Sequence, residues 1–383
     1  MKKFHVLTTA LAAAAFLAGC GGNEAGDQSP RVAFTQMVNF GDSLSDVGSY
    51  DVGVVKLQGG GHFSINGQGA TGLLYINWTE FLAATLKLTQ PCAAETGLTP
   101  VQGAVPIIGD ETPTFHDTGA TPCLNYAQGG SRVTLQPGPG NAALFNPSDP
   151  VGTGGNALGA LTIPVHDQIH NYLTNVSPTF SSTALVTVLA GANDMFIQVA
   201  TFQAEVAAGL PQAQAAAGAV AAMTTAADDL ANDINTMILA NGAKHVVVVN
   251  IPDASLTPSA ISSGAAGQAL VKQLVQTFNT ELAAKLQAGP SLLLVDAFSA
   301  SEDQATNMAQ YGLTNVTTPV CTSSSSLLCT KNTLIAAVAP AASAAPATAA
   351  NTYEYADSVH PTPYGYRLLS ELVGEQMAIK GWL

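Results

Sequence analysis

The chain has 383 residues, of which 47% are hydrophobic and only 10% are charged. This composition excludes an intrinsically disordered chain, and the length is compatible with one large domain or two ordinary ones. The 26 acidic and 12 basic residues give a formal net charge of -14, with no local cluster of Lys and Arg, which argues against a nucleic-acid-binding protein.

The N-terminal residues are typical of an export signal. Two lysines precede the apolar run VLTTALAAAAFLA, which is too short to span a bilayer comfortably. Its last two residues begin the tetrapeptide LAGC, which resembles a bacterial lipobox and implies that Cys20 is the lipidated first residue of the mature protein. We therefore predict a lipoprotein signal peptide over 1–19, a flexible tether over 20–34 and a membrane anchor at the bacterial cell envelope, in the outer membrane. An unused lipobox would instead give a secreted protein.

Residues 35–383 alternate between two kinds of pattern. Four short runs of β-branched residues or Leu are each followed by turn or polar residues, as buried strands are. These runs are QMVNF (36–40), ALVTVLA (184–190), KHVVVVN (244–250) and SLLLVDAF (291–298). Helical spacing of apolar residues occurs over 76–88, 220–243, 267–289 and 362–383. Apolar strands that alternate with amphipathic helices predict an α/β domain with a parallel sheet covered on both faces.

A polar stretch, GDSLSD (41–46), follows the first predicted strand and contains Ser43. Ligands of parallel α/β sheets bind beyond the carboxyl ends of the strands, which is where this serine should lie. Helical spacing resumes soon afterwards, so we expect the Ser43 hydroxyl near a helix N-terminus, where N–H groups can stabilise an oxyanion. On these residues alone, Ser43 is either a nucleophile or the cap of the following helix, because Ser and Asp are common in turns and caps.

Two segments do not fit the α/β pattern. Residues 89–160 are rich in Pro, Gly and Thr, and residues 316–352 contain CTSSSSLLC and an Ala-rich low-complexity run. We predict that both are irregular insertions. Each holds two of the four cysteines that remain after the lipobox, and an even number of cysteines suits an oxidising compartment. Of the three possible pairings we favour the most local one, Cys92–Cys123 with Cys321–Cys329.

The sequence HDQIH places His166 and His170 four residues apart on a predicted helix, as in a zinc-binding H-E-x-x-H. However, Asp167 replaces the Glu that acts as base on the metal-bound water, and no third histidine follows at the usual spacing. A zinc peptidase is therefore only a rival interpretation, and we predict no metal and no cofactor.

Near the C-terminus, DSVHPT places Asp357 and His360 three residues apart, just before a predicted helix. A serine hydroxyl becomes a good nucleophile only when a base takes its proton, and the base needs an acid that fixes its tautomer. A D-x-x-H spacing on a short turn allows both side chains to face one cleft. This stretch therefore favours the interpretation of Ser43 as a nucleophile.

Four motifs occur in an order that carries a family resemblance: FGDSLSD (40–46), NYAQGG (125–130), GAND (191–194) and DSVHPT (357–362). They resemble the signature blocks of the GDSL, or SGNH, hydrolases, and SINGQ and CTSSSSLLCTKNTL are similar to the lecithinase/haemolysin-like bacterial branch. The resemblance implies a three-layer, flavodoxin-like α/β fold with a central parallel sheet of about five strands. No G-x-S-x-G occurs, so the nucleophile elbow of the α/β-hydrolase fold is absent.

Carried over residue by residue, the resemblance implies Ser43 as nucleophile, His360 as general base and Asp357 as its orienting acid. The oxyanion hole would comprise the N–H groups of Ser43 and Gly130 and the side-chain amide of Asn193. Gly129 remains possible in place of Gly130. We interpret the neighbouring acidic residues as turn and cap residues that shape the site: Asp42, Asp46 and Asp194.

The implied activity is hydrolysis of carboxylic esters through an acyl-enzyme on Ser43. Lipid or phospholipid acyl esters and short-chain esters are both compatible with it. An acyltransferase with the same triad and a non-catalytic surface lipoprotein are the alternatives.

Overall fold

The computed structural model describes residues 31–67, 69–97, 114–136, 138–139, 163–335 and 351–383. The predicted signal peptide, Cys20 and most of the tether lie outside these residues. The described strands are β1 (Gln36–Gly41), β2 (Glu95–Thr96), β3 (Thr114–Phe115), β4 (Ala184–Leu189), β5 (His245–Val249) and β6 (Leu292–Val295). All four apolar runs that the sequence marked as strands are therefore strands of the structure.

The described α-helices are α1 (Gly53–Leu57), α2 (Trp78–Thr85), α3 (Val165–Asn175), α4 (Ala192–Ala207), α5 (Gln212–Asp233), α6 (Pro258–Ser262), α7 (Gly264–Lys285), α8 (Ala297–Thr306) and α9 (Pro363–Lys380). The ends of α9 follow from its sequence. Thr362 accepts a hydrogen bond from the Gly365 N–H, Pro363 occupies the first turn, and Gly381 ends the helix in the left-handed conformation. None of the described helices is both long and apolar enough to cross a membrane.

The central sheet is parallel, in the order β1-β4-β5-β6. The expectation of about five strands is wrong for the described part of the chain, where this sheet has four. Residues 124–126 lie beside β1, where a further strand would be, but they form only an isolated bridge between Asn125 and Asn39. Beyond this bridge the segment is joined to β1 by a hydrogen bond from the Gln128 N–H to the Gly41 carbonyl at 3.2 Å, so it follows β1 without forming a ladder of paired residues.

Helices cover both faces of the sheet. One face packs Phe40, Val188 and Val248 against α3, α4, α5 and α7, and the opposite face packs Leu185 and Val247 against α2 and α9. Strand side chains alternate between the two faces, so consecutive apolar residues are all buried. The domain is therefore a three-layer α/β/α structure.

The register of the sheet brings the carboxyl ends of its strands together. Gly41 at the end of β1 pairs with Leu189, Leu189 pairs with Val249, and Val249 pairs with Val295. The residues that follow β1 and β4 therefore share one edge of the sheet, and these residues include Ser43 and Asn193.

Candidate active site

Ser43 lies in a tight turn directly after β1. The Asp42 N–H donates to the Leu189 carbonyl, and the Asp42 carboxylate accepts the Leu44 N–H at 3.0 Å. The expectation of a helix N-terminus beside Ser43 is wrong, because α1 begins only at Gly53. The backbone enters the turn through Gly41, whose φ is +155° and whose absent Cβ would lie 2.3 Å from the Leu189 carbonyl oxygen.

Three side chains form a continuous hydrogen-bonded row. The Ser43 Oγ lies 2.9 Å from His360 Nε2, and His360 Nδ1 lies 2.8 Å from Asp357 Oδ2. The serine and the aspartate are buried, whereas His360 is partly exposed. A neutral histidine can therefore accept the serine proton at Nε2 while Nδ1–H donates to the carboxylate.

The Asp357 carboxylate is held by its own turn and by a distant loop. Its Oδ1 accepts the N–H groups of Val359 and His360, and its Oδ2 accepts the Ser326 N–H at 2.7 Å. Burial alone would raise the pKa of Asp357, but the charge of His360 and these hydrogen bonds hold that pKa well below its usual value. The carboxylate is therefore ionised beside His360 throughout the neutral range.

Two of the groups that the sequence predicts as oxyanion donors lie with Ser43 in the wall of one cavity. Asn193 lies in the first turn of α4, and its Nδ2 donates one hydrogen bond to the Ser131 carbonyl at 2.8 Å, which leaves its second N–H available. The Gly130 N–H makes no hydrogen bond to any other described residue, whereas the Gly129 N–H donates to Asp46. Of the two glycines, Gly130 is therefore the one whose N–H is not engaged by another described residue.

A cavity of about 460 Å³ opens onto Ser43. Its wall includes Ser43, His360, Gly130 and Asn193, and most of the remaining wall is apolar. Apolar side chains reach it from several elements: Phe63, Phe196, Ile251, Leu369 and Leu372. A volume of this size is in the range of small-molecule sites.

The comparison with family models gives one match over nearly the whole chain. The model of GDSL-like Lipase/Acylhydrolase matches residues 37–373. The chain belongs to this family. A search of curated proteins gave no match. Membership in the GDSL-like family implies ester hydrolysis in general, and the three-layer fold with its parallel sheet is consistent with an SGNH hydrolase.

The GDSL motif also contains a carboxylate that links two of the family's blocks. Asp46 accepts the Gly48 and Ser49 N–H groups, as a turn residue does, but its Oδ2 also accepts the Gly129 N–H at 2.9 Å. This contact fixes the peptide before Gly130. A side chain at Gly129 would collide with Phe63, since a Cβ there would lie 2.1 Å from the Phe63 ring.

Several side chains that the sequence did not single out support the site of this GDSL-family chain. Arg132 binds Asp194 at 3.0 Å, with both side chains buried, so Asp194 is an ion-pair partner rather than a simple cap. Gln168 donates to the Gly41 carbonyl and accepts its N–H at 2.9 Å. Gln168 could have been found from the sequence, because it is a polar residue of HDQIH on the buried face of the predicted helix.

The two histidines of HDQIH have separate surroundings. His166 Nδ1 lies 3.0 Å from Asp233, whereas among the described residues the hydrogen bond of the His170 ring is to Thr174, in the same helix. Within the described residues, no group of three or more His, Cys, Asp or Glu side chains is placed to hold a metal ion. Disulfides join Cys92 to Cys123 and Cys321 to Cys329.

Proposed function

We propose that this chain is a serine esterase that cleaves carboxylic esters through an acyl-enzyme on Ser43. The observation that carries the proposal is the row from Ser43 Oγ through His360 to Asp357, with distances of 2.9 and 2.8 Å, at the wall of an apolar cavity. Nucleophile, base and orienting acid are thus already in hydrogen-bond contact.

Acylation begins when Ser43 attacks the ester carbonyl and His360 Nε2 accepts the serine proton. Negative charge then develops on the carbonyl oxygen, and the N–H groups of Ser43 and Gly130 and the amide of Asn193 are the available donors. His360 next protonates the leaving alcohol, which yields the acyl-enzyme. In the second half, His360 takes a proton from water as the water oxygen attacks the acyl carbon, and His360 then returns that proton to the Ser43 Oγ as the acid is released. Asp357 stays ionised and holds the imidazole in the required tautomer.

The substrates that fit best carry an apolar acyl or alcohol group. The apolar wall of the cavity favours lipid acyl esters or short-chain esters over strongly polar ones. We also propose that Cys20 is lipidated and anchors the chain at the cell envelope; this rests on the LAGC tetrapeptide alone. An acyl-enzyme can react with an alcohol as well as with water, so acyl transfer by the same triad is the alternative activity.

The test of the nucleophile is labelling with a fluorophosphonate probe, which reacts with activated serines. We expect the native protein to be labelled and Ser43→Ala to be unlabelled and inactive towards 4-nitrophenyl butyrate. Ser45→Ala, two residues away in the same turn, is the matched control and should still be labelled. Equal labelling of native protein and Ser43→Ala would contradict the proposal.

A second measurement separates hydrolysis from acyl transfer. Adding a short alcohol to the 4-nitrophenyl ester assay should leave free acid as the main product if water is the natural acceptor. A predominance of the new ester would identify an acyltransferase, and a series of acyl chain lengths then defines the preferred substrate.

A further inference from the structure

The catalytic acid proposed above makes one contact that its own turn does not supply. Two N–H groups of the turn bind Asp357 Oδ1, whereas Oδ2, the oxygen nearer to His360 Nδ1, receives the Ser326 N–H at 2.7 Å. Ser326 is fully buried and lies 31 residues before Asp357. The position of Oδ2 therefore depends on a loop that carries none of the triad residues.

That loop, residues 321–329, is closed on itself and fixed to its surroundings. The Cys321–Cys329 disulfide joins its two ends. The Cys321 N–H donates to the Ala356 carbonyl at 2.9 Å, next to Asp357, so the loop and the acid's turn form one unit. A short disulfide-closed loop has few alternative conformations, which suits it to hold a single N–H in place.

The Asn66 side chain lies at the centre of this unit. Its Nδ2 is 3.0 Å from the carbonyl oxygens of both Ser326 and Cys329, and its backbone N–H donates to Cys329 at 2.7 Å. The amide is 3% exposed, and its two N–H groups are shared among five carbonyl oxygens within 3.5 Å. Removing it would take one donor from each of the carbonyls of Ser326, Leu327 and Cys329, which would keep only backbone N–H donors, and would loosen the loop.

Asn66 also connects the loop to the side of the site that carries the base. Its Oδ1 accepts the His62 N–H at 2.8 Å. The adjacent Phe63 ring packs on the His360 ring with centroids 4.9 Å apart, and Ser64 Oγ donates to the Pro361 carbonyl at 3.0 Å. One buried carboxamide therefore links the backbone segments that position the acid and the base.

We propose that Asn66, acting through the disulfide-closed loop 321–329, is a positioning residue that holds the Asp357 carboxylate against His360. The proposal rests on the function proposed above, since it concerns the acid of that triad. A hydrogen bond to an ionised group is stronger than one between neutral groups, so loss of the Ser326 contact should affect the reaction more than an ordinary loop contact would.

The test is the kcat of Asn66→Ala towards 4-nitrophenyl butyrate. We expect a fall of about 10- to 100-fold in kcat with KM little changed, which is the effect of losing one hydrogen bond to a charged group. The Cys321→Ser/Cys329→Ser variant should lose activity in the same way. Its matched control is Cys92→Ser/Cys123→Ser, which removes the other disulfide and should lose stability while its kcat stays within about twofold of the native value, since that disulfide does not contact the triad.

The Asp357→Ala variant separates a loss of positioning of the acid from a general loss of active-site structure. In an Asp357→Ala background, Asn66→Ala should change kcat by less than about twofold, because the group through which Asn66 acts is absent. An equal fall in both backgrounds, or a native kcat in the Cys321→Ser/Cys329→Ser variant, would overturn the proposal. If Asn66→Ala does not fold, the same comparison is made with the cysteine pair. Failure of the proposed function would show separately, as full activity in Ser43→Ala.

Discussion

In the proposed mechanism Asn193 supplies the side-chain donor to the oxyanion, and its substitution isolates that donor. Its Nδ2 already donates to Ser131, so the amide is oriented before any substrate binds. Removing one oxyanion-hole donor typically lowers kcat by about 10²–10³. We expect Asn193→Ala to show a fall of this size in the hydrolysis of 4-nitrophenyl butyrate, with KM nearly unchanged because the donor acts mainly on the transition state.

The chain offers a matched control for that substitution. Asn250 follows β5 at the same edge of the sheet and donates to Asp296 at 3.0 Å, on the far side of β5 from β1. Asn250→Ala should lower stability without lowering kcat. A decrease of less than about tenfold in Asn193→Ala, or an equal decrease in Asn250→Ala, would exclude Asn193 as an oxyanion donor.

Asp42 makes the stability of the fold depend on pH, and a single substitution removes this contribution. The side chain is 1% exposed, its Oδ2 has no hydrogen-bond partner among the described residues, and burial raises its pKa to about 7. Because the pKa is higher in the folded than in the unfolded chain, Asp42 favours folding most below about pH 4, and this contribution is lost as the pH rises to about 7.

Asp42→Asn keeps an oxygen for the Leu44 N–H but carries no charge to bury. Between pH 4.5 and 8, the native protein should lose stability relative to Asp42→Asn by about 3 kcal/mol. Urea unfolding of both proteins across this range measures the difference. Other buried carboxyls titrate equally in the native protein and in Asp42→Asn, so their effects cancel. A stability difference between the two proteins that did not change with pH would show that Asp42 is ionised throughout this range.

At the residue scale, the sequence predicted the side chains that would react, but not the side chains that hold them in position. Ser43, Asp357 and His360 could be named because a nucleophile, an acid and a base have few substitutes. Gly130 was chosen with Gly129 left as an alternative, because adjacent glycines look alike until the Asp46 carboxylate is seen to bind the Gly129 N–H. Arg132 likewise has no local pattern, since its partner Asp194 is 62 residues away.

The ion pair between Arg132 and Asp194 ties the loop after the second block to the first turn of α4. Nε and Oδ1 are 3.0 Å apart, and both side chains are buried. Breaking a buried pair by removing one partner typically costs about 3–5 kcal/mol, because the other charge is left uncompensated. We expect a loss of this size in Asp194→Ala and in Arg132→Met, measured by urea unfolding at pH 7.

The double variant should lose less stability than the sum of the two single losses, because no isolated charge remains. Additive losses would mean that the two groups do not interact in solution. Since Asp194 is adjacent to Asn193, the single variants should also have reduced kcat.

At the level of elements, strands were easier to predict than the connections between them. A buried parallel strand must be a continuous apolar run, and each of the four runs is one. The helix expected after Ser43 is replaced by a turn, in which Asp42 accepts the Leu44 N–H and Asp46 accepts the Gly48 N–H. In place of a fifth strand, residues 124–128 bond to β1 at Asn39 and Gly41 without forming consecutive residue pairs.

Over the whole molecule, negative charge predicts discrimination against anionic substrates. The chain carries a net charge of -14, and three carboxyl groups line the cavity with Ser43: Asp42, Asp253 and Glu354. Burial raises the pKa of both Asp42 and Glu354 to about 7, so raising the pH from 6 to 8 adds negative charge beside the substrate. Long-range repulsion of this kind lowers the rate of encounter and is screened by salt.

Mono-4-nitrophenyl adipate and its methyl ester form a matched pair of substrates that differ by one charge. At low salt and pH 8, kcat/KM for the anionic ester should be lower by about tenfold or more. This ratio should shrink as salt is added, because the Debye length falls from about 30 Å at 0.01 M to 3 Å at 1 M. It should also shrink at pH 6, where Asp42 and Glu354 are largely protonated. A ratio that depended on neither salt nor pH would show that the shape of the cavity, and not its charge, selects the substrate.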